Sequence, residues 1–335
     1  MSIIIPDGYK SRMSIKDTEI AIKEVKDYFE RMLAKELNLT RVSAPLFVTP
    51  SSGLNDNLNG VERPVKFGIK EQNDKEVEIV HSLAKWKRKA LNDYGFKTGE
   101  GLYTDMTAIR RDEDTDNLHS IYVDQWDWEL IINKKDRNIA TLKSIVKKVY
   151  AALVNTEVFI NSRHPEITRV LPENIKFITT QELLDKWPDK TAKQRENEAA
   201  KKYGAIFLMQ IGDKLSDGKP HDGRAPDYDD WALNGDIIVY YPVLDCALEL
   251  SSMGIRVDED SLKSQLKKAK CSDRAKLPFH KAILSGQLPY TAGGGIGQSR
   301  ICMFFLRRAH IGEVQSSIWL EKDRKSAEKA GITLL

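Results

Sequence analysis

The chain has 335 residues, of which 41% are hydrophobic and 30% charged, with 52 basic residues against 49 acidic ones. That length suits one large domain or two ordinary ones, and the near balance of charge gives no global field favouring nucleic acid. The longest apolar runs, such as "AIFLM" at 205–209, are far too short to span a bilayer, the N-terminus lacks a signal-peptide pattern, and Cys246, Cys271 and Cys302, with no C-x-x-C pair, suit a reducing cytoplasm without a zinc site.

Ser14 to Leu37 reads as an amphipathic helix. Ile22, Val25, Phe29, Met32 and Leu33 share one stripe, and Ser14 with Asp17 carries a capping-box signature. A short proline-bearing strand, "RVSAPLFV", follows; "VKFGIK" and "VEIVHS" then flank a turn as a hairpin. "SLAKWKRKALNDYG" reads as a helix ended by Gly95, "HSIYVDQWDWEL" alternates as a strand, and a long helix covers about 137–160. Trp126 and Trp128 are assigned to core or pocket wall. The section from about 160 to 235 is expected as an irregular insertion in a single domain spanning 1–335. Within it, Thr180 caps a short helix, a charged helix covers about 191–203, and "AIFLMQI" is a buried strand before a loop over 212–231. "DIIVYYPV" and "ALELSSMGIRV" then pair as a hairpin. Helices interrupted by hairpin-joined strands predict an α+β fold with a central, mostly antiparallel sheet flanked by helices. The basic pairs Lys147-Lys148 and Lys267-Lys268 are expected on solvated helix faces.

The stretch "TAGGGIGQSR" at 291–300 needs its own explanation, because clustered glycines cost conformational entropy. A dinucleotide fingerprint fails: the preceding "GQLPYT" is a poor strand and too little chain follows for a nucleotide-binding half. A glycine-rich bend entering a helix remains, open enough for a base or phosphate to touch the backbone, with Arg300 near the helix start to hold a phosphate.

The pattern G-x-G-x-G-x-x-R, as Gly293, Gly295, Gly297 and Arg300, resembles the third signature of class II aminoacyl-tRNA synthetases. "RRDEDTDNLHSIYVDQWD" at 110–127 resembles the second, and 14–50 the first. More closely, "VHSLAKWKR", "GEGLYTDM", "YVDQWDWE", "RAPDYDDW", "LNGDI", "ELSSMGIRVD" and "GGGIGQSR", in unbroken order over nearly the whole chain, resemble the ammonia-dependent (A-type) asparagine synthetases. The resemblance implies a class II synthetase-like catalytic domain. Its activity would be the conversion of L-aspartate, ATP and ammonia to asparagine, AMP and diphosphate, with Mg²⁺, in a cytoplasmic homodimer that binds no nucleic acid.

A carboxylate is a poor acyl donor, and its transfer to the α-phosphate of ATP makes AMP the leaving group. The negative charge that gathers needs cations. Arg110, Arg111 and Arg300 are expected to supply them, with Ser251, Gly293, Gly295 and Gly297 also at ATP. Asp236 and Glu249, on facing hairpin strands, are candidates to hold Mg²⁺. Free aspartate carries two carboxylates and one ammonium. Lys87 and Arg256 are expected at its α-carboxylate, Asp127 and Gln125 at its polar groups, and Ser82 and Ser252 beside them. Ammonium cannot attack until it loses a proton, and Asp56 and Asp229 are the candidate acceptors. No glutaminase domain is evident, so free ammonia is the expected donor. One rival, an aspartyl-type tRNA synthetase, lacks room for an anticodon-binding domain ahead of residue 14. Another, a non-catalytic paralogue, is disfavoured by the presence of Glu249 and Arg300.

Overall fold

In the computed structural model, which describes residues 3–58 and 61–335, the Ser14 side chain accepts a hydrogen bond from the Asp17 amide and starts α1 (Ile15–Leu37). The apolar stripe of α1 buries Ile22, Val25, Phe29 and Leu33, while Met32 only borders the core. The segment expected as one proline-bearing strand is two. β1 (Leu39–Arg41) belongs to the main sheet and β2 (Phe47–Val48) to a small second one. Pro45, which lacks an N–H, lies in the break. The hairpin of β3 (Lys66–Ile69) and β4 (Lys75–Ile79) completes the small sheet in the order β2-β4-β3. Next, α2 (Ala84–Asp93) ends just before Gly95, whose φ of 73° turns the chain.

Two long strands, β5 (Gly101–Ile109) and β6 (Tyr122–Ile131), precede α3 (Ile139–Arg163). Within the stretch expected as an insertion, α4 (Thr180–Lys186), α5 (Ala192–Tyr203) and the buried β8 (Ala205–Met209) lie where a short helix, a charged helix and a buried strand were expected, and β7 (Lys176–Thr179) is a further strand. Thr179, rather than Thr180, caps α4 by accepting from the Glu182 amide. β9 (Asp229–Tyr241) starts well before Asp236, so "DDW" and "LNGD" lie on one continuous strand, where a loop was expected up to Trp231. β10 (Cys246–Arg256), α6 (Glu259–Lys268), α7 (Pro278–Leu284), β11 (Thr291–Gly297), α8 (Gln298–Phe305) and α9 (Glu321–Lys329) follow. Lys147, Lys148, Lys267 and Lys268 are exposed on their helices, as expected of solvated faces. No helix among the described residues is long and apolar enough to cross a membrane.

The main sheet runs β1-β5-β6-β11-β10-β9-β8-β7, parallel only at its two outermost pairings and antiparallel between them, which is the α+β arrangement the sequence predicts. One face packs on α1, α3 and α8 through Trp126, Trp128, Met253 and Ile296. The other face is covered by α4 and α5 near β7 and β8. Period-two alternation on β6 therefore sends Trp126 and Trp128 into the core and Gln125, Asp127 and Glu129 to the opposite side.

A bulge between Glu249 and Ser251 changes that alternation on β10. Glu249 pairs with Ile238 and Ser252 with Asp236, two positions of one face of β9. The extra residue therefore puts Glu249 and Ser252 on the same side, where a regular strand would have grouped Glu249 with Ser251.

Candidate active site

The glycine run is a strand, not a bend. β11 lies between β6 and β10 in the middle of the sheet, and α8 begins at the next residue, Gln298. Gly293, Gly295 and Gly297 stand opposite Glu129, Asp127 and Gln125. A Cβ on Gly293 would overlap Glu129 Oε2 and lie 2.5 Å from Arg256 Nη2; one on Gly295 would lie 2.6 Å from Gln125 Oε1. The room made by these two glycines is thus filled by the protein's own side chains, where the sequence suggested nucleotide. A Cβ on Gly297 would meet nothing nearer than Arg300, at 3.4 Å.

Above this strand a cavity of about 510 Å³ gathers most of the candidate residues. Its deeper end is an array of buried charges. Lys87 Nζ, carried in by α2, donates to Asp127 Oδ1 at 2.8 Å and to the Gly294 carbonyl at 2.9 Å. Arg256 Nε and Nη2 donate to Glu129, the latter at 2.7 Å, and Nη1 donates to Asp229. Thr291 Oγ1 donates to Glu129 at 2.6 Å. Burial lowers the pKa of Lys87 more than Asp127 raises it. Burial also works against the charge of Arg256, but Glu129 and Asp229 outweigh it and leave the guanidinium firmly protonated. Removing one partner from so buried a pair costs about 3–5 kcal/mol, so the array holds its own geometry. A guanidinium has five N–H groups and an ammonium three. These contacts leave one N–H on each terminal nitrogen of Arg256 and one on Lys87 for a ligand carboxylate.

Asp56 and Asp229, alternatives in the sequence, differ here. Asp229 is tied to Arg256. Asp56 is buried and lines the cavity, but among the described residues its carboxylate accepts only from neutral donors, the Leu58 amide and Ser82 Oγ, both at 2.8 Å. The loop of Asp56 is fixed from below by buried Lys85, which donates to the Asn55 carbonyl at 2.9 Å and pairs with Asp227 at 3.0 Å. Tyr228 also faces the cavity; burial, with the charges of Asp56 and Asp229, raises its pKa well above 10, so the phenol keeps its proton.

The outer end of the cavity holds the arginines expected at phosphate. Arg300 lies near the start of α8, with Nη1 3.2 Å from the Glu249 carbonyl and 3.6 Å from its Oε2. Arg110 is half-buried, with Nε unpartnered among the described residues and Nη1 4.0 Å from Glu113, whereas Arg111 is exposed at the turn after β5. Both line the cavity. Ser251 does not line the cavity; the bulge turns its hydroxyl to the Gly295 carbonyl at 3.1 Å. Asp236 lies beneath the cavity wall, covered by Arg224, whose Nη2 donates to Asp236 Oδ1 at 2.6 Å. Burial pushes the pKa of Asp236 up to about 7; Arg224 opposes this, and repulsion from Glu249 adds to it.

Glu129 and Arg224 are among the residues of this site not picked out in the sequence. Glu129 was legible, since it follows Asp127 by two on an alternating strand. Arg224 was not, because it lies in a segment without periodicity and only the folded chain brings it to β9 and β10.

The AsnA family model, described as aspartate–ammonia ligase, matches residues 16–331. An aspartate–ammonia ligase of Ruminiclostridium cellulolyticum is 64% identical, covering 100% of this chain and 99% of its own length. That of Clostridium perfringens is 62% identical over 99% of both chains, and that of Lactobacillus johnsonii 58% identical over 100% of both. Among solved structures, asparaginyl-tRNA synthetase of Pyrococcus horikoshii complexed with asparaginyl-adenylate aligns with a TM-score of 0.64 and 14% identity, covering 89% of this chain and 68% of that one. The Entamoeba histolytica asparaginyl-tRNA synthetase in complex with asparaginyl-adenylate aligns at 0.65 with 13% identity, covering 90% and 66%. At such identities these synthetases share the fold alone. Full-length identity to named ligases, on a class II synthetase fold, places the chain in the aspartate–ammonia ligase family: it is an ATP-dependent ligase that makes asparagine from aspartate and ammonia.

Proposed function

We propose that catalysis runs through a β-aspartyl-adenylate and that the cavity divides into an aspartate end and a nucleotide end. The observation that carries this reading is the buried Lys87–Asp127 and Arg256–Glu129–Asp229 array, whose uncommitted N–H groups suit one carboxylate and whose anions suit one ammonium. Lys87 and Arg256 hold the α-carboxylate, Asp127 the ammonium, and Gln125, Ser82 and Ser252 the remaining polar contacts. The β-carboxylate then faces the outer end, where Arg110 and Arg300 take the charge of the phosphates, with Arg111 at the rim. One oxygen of that carboxylate attacks the α-phosphate and diphosphate leaves. Ammonia then adds to the acyl carbon, and AMP departs with the former carboxylate oxygen.

Asp56 serves as the acceptor of the ammonium proton in this reading. Its carboxylate has no cation of its own among the described residues, whereas Asp229 is engaged by Arg256. Asp236 and Glu249 suit Mg²⁺: both are hard oxygen donors from adjoining strands, and their mutual repulsion favours a cation between them. No cluster of three or more metal-ligating side chains occurs among the described residues, which is compatible with an ion that draws its other ligands from phosphates and water. Mg²⁺ would neutralise phosphate charge there. A cytoplasmic homodimer belongs to the same proposal; exposed Ile15, Ile20 and Val158 on α1 and α3 provide apolar surface for a second copy. The test is product identity with aspartate, ATP and ammonium in the absence of tRNA. Asparagine with AMP and diphosphate is expected, and ADP with phosphate would overturn the adenylate route.

A further inference from the structure

Arg224, which the sequence analysis did not single out, lies at the cavity wall over Asp236. Its guanidinium bridges a cross-strand pair: Nη2 donates to Asp236 Oδ1 on β9 and Nη1 to Ser252 Oγ on β10. The side chain is about nine-tenths buried, and its Nε has no partner among the described residues. Arg224 also lines the cavity, beside Asp222, Gly223 and Ala225. The flanking chain is pinned. His221 Nε2 lies 3.1 Å from Glu196 Oε1, Trp231 Nε1 donates to the Ala225 carbonyl at 3.3 Å, and Gln265 Nε2 donates to the Pro226 carbonyl at 2.9 Å. The backbone around Arg224 is thus held on both sides, so any exchange of its partners falls to its long side chain.

A guanidinium on Asp236 and a dication on Asp236 compete for the same oxygen, and their like charges repel at such range. Glu249, the second carboxylate of the pair, is likewise beside an arginine, Arg300. Each carboxylate of the acidic pair thus has an arginine of the protein itself beside it. We propose that Arg224 is a resident counter-cation for Asp236, displaced when a divalent cation arrives with nucleotide, so that metal·nucleotide binding is an exchange of cations rather than the filling of a bare acidic site. This rests on the reading of Asp236 as a metal ligand. The freed guanidinium swings into the cavity between its aspartate and nucleotide ends, while Ser252, released from it, becomes available to substrate.

The exchange predicts an unusual sign. Removing a cation from a nucleotide-binding cavity ordinarily weakens the binding of a polyanion; here Arg224→Met should tighten it when Mg²⁺ is present. The experiment is calorimetric titration of the full-length protein with ATP at a series of fixed Mg²⁺ concentrations, without aspartate or ammonium so that no turnover occurs. For Arg224→Met the Mg²⁺ concentration giving half-maximal tightening should fall by about tenfold, the scale on which one partly buried ion pair no longer has to be broken. Arg224→Lys keeps the charge but cannot bridge both partners and should fall between. Should Arg224→Met fail to fold, Ser252→Ala, which removes one anchor of the guanidinium, decides the matter by a smaller shift in the same direction. Unchanged or weaker Mg²⁺·ATP binding in the folded variant would overturn the exchange and make Arg224 a structural or phosphate-holding group. Asp236→Asn separates the two ideas. If it leaves the Mg²⁺ titration unchanged, the metal assignment itself fails; if it weakens the titration while Arg224→Met does not tighten it, only the exchange fails.

Discussion

At the scale of single residues, the two carboxylates that the sequence left as alternatives are separated by their partners. Asp229 is paired with Arg256, while Asp56 accepts from an amide and a hydroxyl and lines the cavity. An acceptor for the ammonium proton should lose most of its effect as the asparagine isostere, which has nearly the same shape but no basicity. Asp56→Asn is expected to lower kcat by about 10²–10⁴, the usual contribution of a positioned general base, while aspartate and ATP still bind. The deficit should shrink as pH rises, because more of the ammonia is then free without help. A loss that is the same at every pH would remove Asp56 from proton transfer. Asp229→Asn should behave differently, raising the aspartate KM through Arg256, with no special dependence on pH.

At the scale of elements, β11 shows why a glycine strand can sit at the centre of a sheet. Gly293 gives its space to the Glu129–Arg256 pair, and Gly297 gives little space to anything. Gly293→Ala should push that pair apart and lower kcat/KM for aspartate by about 10², since small misplacements near reacting atoms are costly, with ATP affinity nearly unchanged. Gly297→Ala, at a φ of −65° and with nothing nearer than Arg300, should be mild. Steady-state kinetics with varied aspartate checks both, and equal effects of the two substitutions would refute this account of the strand. The same strand marks the limit of sequence reading. Glycine has low strand propensity, so "TAGGGIG" looked like a bend. β5 carried little β-signal in "GLYTDM", and β9 began inside what looked like a loop. By contrast, α1 with its Ser14 cap, α5, the β3–β4 hairpin and the tryptophans of β6 were legible because cap, period and turn all agree there. The site was legible where it follows strand alternation, as at Gln125 and Asp127. It was not legible where a bulge reverses the alternation at Ser251, or where a loop delivers Arg224 across the fold.

At the scale of the whole molecule, the cavity depends on the C-terminal segment that closes beneath it. Ile311 and Gln315 line the cavity, and between them the chain is tied to its own end, the Leu335 amide donating to the Gly312 carbonyl at 2.7 Å. His310 is one titratable link in this closure, beside Glu313, whose carboxyl burial holds above its usual range. It packs edge-on against Trp319 with ring centroids 4.9 Å apart, and its Nδ1 accepts from the Gly312 amide at 2.9 Å, which requires that nitrogen to be unprotonated. Burial lowers its pKa from 6.5 to about 4, against weaker pulls from Asp323 and Asp116. Between those two values the unfolded chain binds a proton that the folded chain refuses, so stability rises with pH across this window. The contribution is complete above pH 6.5 and declines as pH falls towards 4; at 1.36 kcal/mol per unit it amounts to roughly 3 kcal/mol. His310→Asn keeps an acceptor for the Gly312 amide without the titration, so its stability should be lower at neutral pH but flatter in acid. Urea unfolding at pH 7 and at pH 4.5 should show the wild-type advantage at neutral pH shrinking or reversing in acid. Parallel curves for the two proteins would mean that His310 titrates normally. If the advantage does shrink, Ile311 and Gln315 sit on a closure that acid loosens, and activity should fall below pH 6 in the wild type more steeply than in His310→Asn.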